Sequence, residues 1–388
     1  MNSYSDFLYM IPEAMLVAAL VILFVADFAT VSKDNRKWLN PLACVLLLPV
    51  ILSPLLSATE VHLFGDMYRN TFGVGIVKSI LAAGTLVVFI QSKTWLYGDY
   101  SNSGKHKVMS LEAEFYMLII STLLGMFVML SSGHFLIFFL GLEMASVPLA
   151  CVVAFDKHRN QSAEGAAKFI LTATFSSGVM LYGISLLYGA CGTLYFDDVA
   201  LKLQSLVSDG NIVAMLILAL VFFFSGLGFK LSLVPFHFWT ADTYQGAPTT
   251  VTGYLSVISK GAAAYTLLVI LFHVFGSMAQ QWHELLYIVV VLSITIANLF
   301  ALRQKELKRF MAFSSISQAG YIMLAAIGSS AMGVTSLMYY VLVYIVANMS
   351  VFTVINVVET CGAGTTKMSC YNGLYQTNPK LAFLMTLA

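Results

Sequence analysis

Residues 226–260 read GLGFKLSLVPFHFWTADTYQGAPTTVTGYLSVISK, and the way this stretch meets a bilayer decides the fold. It begins and ends inside apolar runs long enough to cross a membrane. Yet it carries Lys230, His237, Asp242 and Lys260, with Pro235 between the first two. Ionisable groups at membrane depth are costly and usually mark a path for ions or protons. Proline lacks an N–H and its ring crowds the carbonyl four residues back, here Leu231, so the spacing predicts a helix break between Lys230 and His237. Carbonyls unwound at that depth are tolerated only against protein or water, which makes Lys230 the wettest point of its helix. Gly226 and Gly228 make the preceding turn easier to deform, and Asp242, Tyr244, Gly246 and Pro248 read as a short connection to the next helix.

Working outward, the whole chain shares this apolar character. Hydrophobic residues make up 59% and charged residues 10%, against about 25% charged in soluble proteins, and the mean hydropathy is +0.85. Eleven apolar runs start near Tyr9, Leu39, Val74, Phe115, Phe135, Ala163, Ile212, Thr249, Leu285, Phe310 and Met332, and a twelfth starts at Leu381. They are continuous rather than alternating, so the fold class is an all-α polytopic transmembrane bundle, not a β-barrel. The first run lacks a basic n-region and is interrupted at Pro12-Glu13, so it reads as a retained helix. The five cysteines form no CxxC pair, which leaves no iron–sulfur or zinc motif. No nucleotide fingerprint is complete, His283-Glu284 lacks the second His of a metalloprotease helix, and no basic patch remains to bind nucleic acid.

With the N-terminus outside, the inside loops hold Lys33, Arg36, Lys37, Lys93, Lys105, Lys107, Lys157, Arg159, Arg303, Lys305, Lys308, Arg309, Lys367 and Lys380. Arg69 and Lys202 alone fall outside. This asymmetry supports both the helix count and the orientation. Lys78, Lys168, Lys230 and Lys260 are left within the apolar runs. Glu13, Asp27 and Lys78 lie near helix ends, where snorkelling to an interface is the favoured reading. Lys168 begins the sixth helix about one and a half turns in, where snorkelling is also open, with Thr172, Thr174, Ser176 and Ser177 beyond it.

Glu143 falls about ten residues into the fifth helix, roughly 15 Å along its axis, and needs there either a proton or a neighbouring cation. Lys260, near the centre of the eighth helix, has no short route to water, and a buried amine can exchange between charged and neutral forms. Hydrophilic residues continue as Phe313-Ser314-Ser315-Ile316-Ser317-Gln318 in the tenth helix and Asn348, Ser350 and Thr353 in the eleventh. These suggest a second, weaker polar path or simply hydrogen bonds between helices. The polar segment Leu194–Asn211, with Asp197, Asp198 and Asp209, reads as a surface excursion, and Ser92–Ser110 as the boundary of a first module.

GFKLSLVPFHFWTADTYQGAPTTVTGYLS, SVISK, LKRFMAFSSISQAGYIML and GLYQTNPKLAFLMTLA together resemble the antiporter-like membrane subunits of bacterial NADH–quinone oxidoreductase, respiratory complex I. The likeness runs from Pro12 to the last residue. It implies a three-helix module at 1–110, a five-helix repeat at 111–275 and an inverted, incomplete repeat at 276–388. It also implies a proton relay through Glu143, Lys168, Lys230 beside the break, and Lys260, supported by Pro235 and His237. Lys308 matches a further family lysine, although its basic loop favours a topological role. The family's twelfth helix is broken and carries a final ionisable residue, whereas this chain stops eight residues into that run, at Ala388. The likeness further implies protons driven by quinone reduction elsewhere, with NADH, FMN, iron–sulfur clusters and quinone held by other subunits and none in this chain. Expected partners are sibling membrane subunits and lipid, in a bacterial inner membrane with the N-terminus outside. The same residues would serve a subunit of a multi-component sodium/proton antiporter, and a purely structural subunit is the third alternative.

Overall fold

The computed structural model describes residues 7, 9–30, 37–56, 60–97, 111–157, 159–208, 214–328, 331–361 and 365–387. Of the residues weighed above, Lys33, Arg36, Lys105, Lys107, Asp209 and Ala388 lie outside this set. Helices α1 (Ile11–Thr30) and α2 (Leu39–Leu56) lead to an antiparallel hairpin, β1 (Val61–Leu63) and β2 (Tyr68–Asn70), paired Val61 to Asn70 and Leu63 to Tyr68. Next come α3 (Phe72–Tyr97), α4 (Glu112–Leu130), α5 (Phe135–Val153), α6 (Asn160–Cys191) and α7 (Phe196–Ser208). The interrupted pair α8 (Ala214–Leu231) and α9 (Phe238–Gly246) is followed by α10 (Thr249–Tyr254), a π turn at Leu255–Ser259, and α11 (Lys260–His273). The chain continues through α12 (Ala279–Ala301), α13 (Leu307–Ile327) and α14 (Ala331–Cys361) to two short helices, α15 (Leu374–Thr377) and α16 (Pro379–Leu387).

Each of the eleven complete apolar runs becomes a helix, because a backbone without water must satisfy its own hydrogen bonds. Among the described residues ten helices are long and apolar enough to cross a membrane, counting Thr249–His273 as one, and α2 is a shorter apolar helix. The Thr249–His273 span is the most enclosed, 89% buried, whereas α1 is 28% buried and lies at the periphery. Lys260 therefore stands in the middle of the protein. Helices α4 and α5 touch backbone to backbone. A Cβ on Gly125 would lie 2.4 Å from the Ala145 nitrogen, and one on Gly141 would lie 2.5 Å from that of Met129. Only glycine permits this approach, and it fixes the helix that carries Glu143.

Several local expectations are corrected. Helix α3 runs on to Tyr97 instead of ending in a loop at Ser92, because Trp95 packs edge-on against Phe115 and Leu96 is buried. Asp242, Tyr244 and Gly246 belong to α9, which leaves Ala247 and Pro248 as the connection. Gly226 serves packing rather than bending, since a Cβ there would sit 2.5 Å from Met180 Cβ on α6. The excursion after Leu194 contains the amphipathic α7, which buries Phe196, Val199 and Leu203. Its polar composition concealed a stripe of apolar residues three and four apart.

Candidate proton-relay site

The break comes where Pro235 places it. Helix α8 stops at Leu231, Ser232 takes a left-handed φ of 63°, and α9 resumes at Phe238. Its freed backbone groups are satisfied within the protein: Leu233 N–H donates to the Gly228 carbonyl at 2.9 Å, and Val234 N–H to Ser293 Oγ of α12 at 2.9 Å. The Trp239 indole N–H spans the two halves by donating to the Phe229 carbonyl at 3.2 Å. These bonds fix the gap and aim the end of α8 into the bundle.

Lys230, 5% exposed, donates to Ser146 Oγ of α5 at 2.7 Å. Ser146 lies three residues from Glu143, so both occupy one side of α5. Glu143 is half-buried and accepts from Ser177 Oγ of α6 at 2.5 Å. The expected Glu143–Lys230 contact is thus indirect, through adjacent positions of α5. Among the described residues neither side chain lies in an ion pair closer than 4.0 Å.

Lys260, 1% exposed, follows the π turn directly. It donates to Ser315 Oγ of α13 at 2.7 Å and lies 5.6 Å from the centre of the Tyr244 ring. Ser315 in turn donates to the Ser256 carbonyl at 3.3 Å, and Asn348 of α14 donates to Ser256 Oγ at 2.9 Å. Two residues from the weaker polar path, Ser315 and Asn348, therefore belong to the surroundings of Lys260. Its other members separate: Gln318 accepts from Tyr340, and Thr353 accepts from Gln91 at 2.6 Å. Hydroxyls around an amine can donate or accept, so they fit either protonation state.

The other candidates lie apart from this centre. Lys168 is 44% exposed at its side chain, pairing with Glu164 at 2.7 Å and Asp242 at 2.6 Å, while Arg309 holds the other Asp242 oxygen at 2.7 Å. It ties α6 to α9 and α13. Lys308 is no loop cation. It is fully buried in the first turn of α13 and donates to the Ala247 carbonyl at 2.6 Å, capping the end of α9. His237, 9% exposed, sits at the start of α9 with Nδ1 lacking a hydrogen-bond partner among the described residues. It lines a cavity of about 440 Å³ with Pro235, Asp242, Arg309 and Phe313.

One pair escaped the sequence reading. Lys78 does not snorkel: it is fully buried and meets Glu13 at 2.6 Å. Two charges 65 residues apart, each near a helix end, gave no local sign of meeting.

A bundle of spanning helices, one broken beside a buried lysine and another with a lysine at its centre, defines an ion-translocating membrane protein of the antiporter type. A family model described as NADH:quinone oxidoreductase/Mrp antiporter, TM, matches residues 132–388. The chain is 56% identical over 381 residues to NADH-quinone oxidoreductase subunit N of Phocaeicola vulgatus, covering 98% of this chain and 77% of that one. It is 46% identical to subunit N of Azobacteroides pseudotrichonymphae, covering 99% and 78%. Respiratory complex I from Thermus thermophilus with bound aureothin contains a chain of the same fold. The TM-score is 0.75 at 28% identity, over 96% of this chain and 76% of the other. The Mrp complex of Dietzia sp. shares the fold alone, with TM-score 0.79 at 17% identity over 97% and 70%. The chain belongs to the subunit N family of NADH–quinone oxidoreductase.

Proposed function

We propose that this chain carries protons across the membrane as part of a multi-subunit NADH–quinone oxidoreductase, with Glu143, Lys230 and Lys260 as the relay. One observation carries the reading: two amines buried to 5% and 1% exposure bond to serine hydroxyls and, among the described residues, to no carboxylate. A hydroxyl partner lets the amine hold or lose a proton without leaving a donor unmet. A proton arriving near Glu143 changes the charge felt by Lys230, and Lys230 biases Lys260 in turn.

In this reading the face bearing Arg303–Arg309 is the inner one, the hairpin face is outside, and the N-terminus starts there. The module boundaries near residues 110 and 275 then separate a supporting three-helix unit from the first repeat. Electrons stay with the cofactors of other subunits, and this chain contributes no redox group. Lys168 supports the break through Asp242, and Lys308 through the end of α9.

Lys230→Ala and Glu143→Ala in the assembled complex test the relay. The expected result is quinone reduction with strongly reduced proton pumping in membrane vesicles. A normal proton-to-electron ratio in either variant rejects the relay. Genes for quinone-reductase subunits beside this one would separate this reading from a sodium/proton antiporter.

A further inference from the structure

The relay leaves one buried ionisable cluster unused. Glu13 in the first turn of α1, Lys78 in α3, and Tyr68 and Asn70 in β2 are exposed by 4%, 0%, 3% and 5%. Lys78 Nζ donates to Glu13 Oε1 at 2.6 Å, to the Tyr68 hydroxyl at 3.3 Å and to Asn70 Oδ1 at 3.3 Å. The Tyr68 hydroxyl donates to the second carboxylate oxygen, Oε2, at 3.0 Å. The amine also lies 5.3 Å from the centre of the Tyr68 ring and 5.6 Å from that of Phe127 in α4.

A buried ion pair is weak evidence for stability, since apolar residues of the same volume often hold a core as well. This pair has a second property. Lys78 keeps a complete set of electron-rich neighbours even without the carboxylate charge: the Asn70 carbonyl oxygen, the Tyr68 oxygen and two aromatic faces. Neutralising Glu13 therefore removes the counter-charge, which is costly at this depth, but leaves the ammonium its hydrogen-bond acceptors. The carboxyl is provided for as well, because a hydroxyl that donates to a carboxylate can accept from a carboxylic acid by turning, and the phenol hydrogen it turns away meets Ser131 Oγ, a buried oxygen otherwise without a partner among the described residues. Tyr68 belongs to the hairpin, whose flanking His62 and Asp66 are about half exposed, so the cluster lies directly beneath an exposed hairpin.

We propose that Glu13, Lys78 and Tyr68 form a proton-holding site in the N-terminal module that exchanges with water on the hairpin face. On uptake a hydronium ion in that water gives its proton to Glu13 Oε2 and is left as water, Tyr68 turns from donor to acceptor, and Lys78 keeps its proton. The cluster changes from net zero to one positive charge, and release reverses each step. The site's use in pumping rests on the relay proposed above, but its protonation does not.

The test uses the full-length chain in the assembled complex. Infrared difference spectra during quinone reduction should show a carboxylic-acid C=O band that is lost in Glu13→Gln. The same variant should lower protons pumped per quinone at least twofold at an unchanged reduction rate. A band insensitive to E13Q overturns the site, and an unchanged pumping ratio overturns its use in pumping. Should E13Q fail to assemble, Tyr68→Phe keeps both charges and should shift the band; an unshifted band overturns the site. Lys230→Ala, measured alongside, separates the two readings. If K230A pumps normally the central relay fails, while the Glu13 band is judged on its own.

Discussion

The four buried amines Lys78, Lys230, Lys260 and Lys308 differ less in burial than in what they touch. Lys230 and Lys260 meet serines, whereas Lys78 meets a carboxylate and Lys308 a backbone carbonyl. Ser315→Ala would leave the Lys260 amine without its hydrogen-bond partner, a loss of about 1–3 kcal/mol for a buried group. The amine is then stabilised in neither form at its usual position. Slower proton pumping at wild-type quinone affinity and normal assembly is the expected outcome, measured as vesicle acidification. Lys308→Ala should act differently, because it removes the donor that holds the end of α9. A lower melting temperature of the detergent-solubilised complex is expected for it, with pumping per assembled complex little changed. Glu143, Lys230 and Lys260 were legible because each is a charge in an otherwise apolar run. Of their hydroxyl partners, Ser177 and Ser315 showed as polar positions without showing what they bind, and Ser146 did not show at all, since a serine within a spanning helix looks the same whether it bonds to its own turn or to a lysine across the bundle.

At the scale of elements, continuous apolar runs located all eleven complete helices, and Pro235 located the break. Proline removes a specific hydrogen bond, and that loss is readable one residue at a time. The π turn at Leu255–Ser259 carries no such mark, because LSVIS would suit an ordinary helix equally well. The hairpin at Val61–Asn70 was hidden for the converse reason, its strands being only three residues each. Packing at the break gives a sharp prediction. Gly226→Val places a branched side chain where even a Cβ would sit 2.5 Å from Met180. Overpacking of this kind costs about 1–3 kcal/mol, and α8 must move off α6. The variant should assemble poorly, and Met180→Gly in the same chain, which removes the clashing Cβ, should restore part of the yield on a native gel.

At the scale of the whole molecule, the hairpin joins parts of the chain that the helices alone leave separate. Alternate residues of β2 point to opposite sides. Tyr68 and Asn70 therefore reach down to the Glu13–Lys78 pair, while Arg69 between them grips Asp197 of α7 through both carboxylate oxygens. Asp197 also bonds at 2.5 Å to His273, the last residue of the helix that begins at Lys260. Arg69 N–H donates to the Ser131 carbonyl at 2.7 Å, which fixes the turn leading into α5 and Glu143. One strand thus anchors the N-terminal module, α5, α7 and the Lys260 helix on a single face.

The Arg69 guanidinium, assisted by His273, holds the Asp197 carboxyl down to about 2, below its ordinary 3.8. The folded state therefore binds a proton at Asp197 less readily than the unfolded chain does. The clamp's contribution is complete above about pH 4, declines as pH falls towards 2, and is gone below that. With 46% of the Asp197 side chain exposed, solvent screens the pair and keeps its contribution small. Asp197→Asn should remove this acid-dependent part alone. Melting temperatures of the detergent-solubilised complex should be lower for the variant than for wild type at neutral pH, and the two should converge as pH falls from 4 to 2. No gap at any pH would show that the hairpin is held by its backbone contacts and not by the Arg69 clamp.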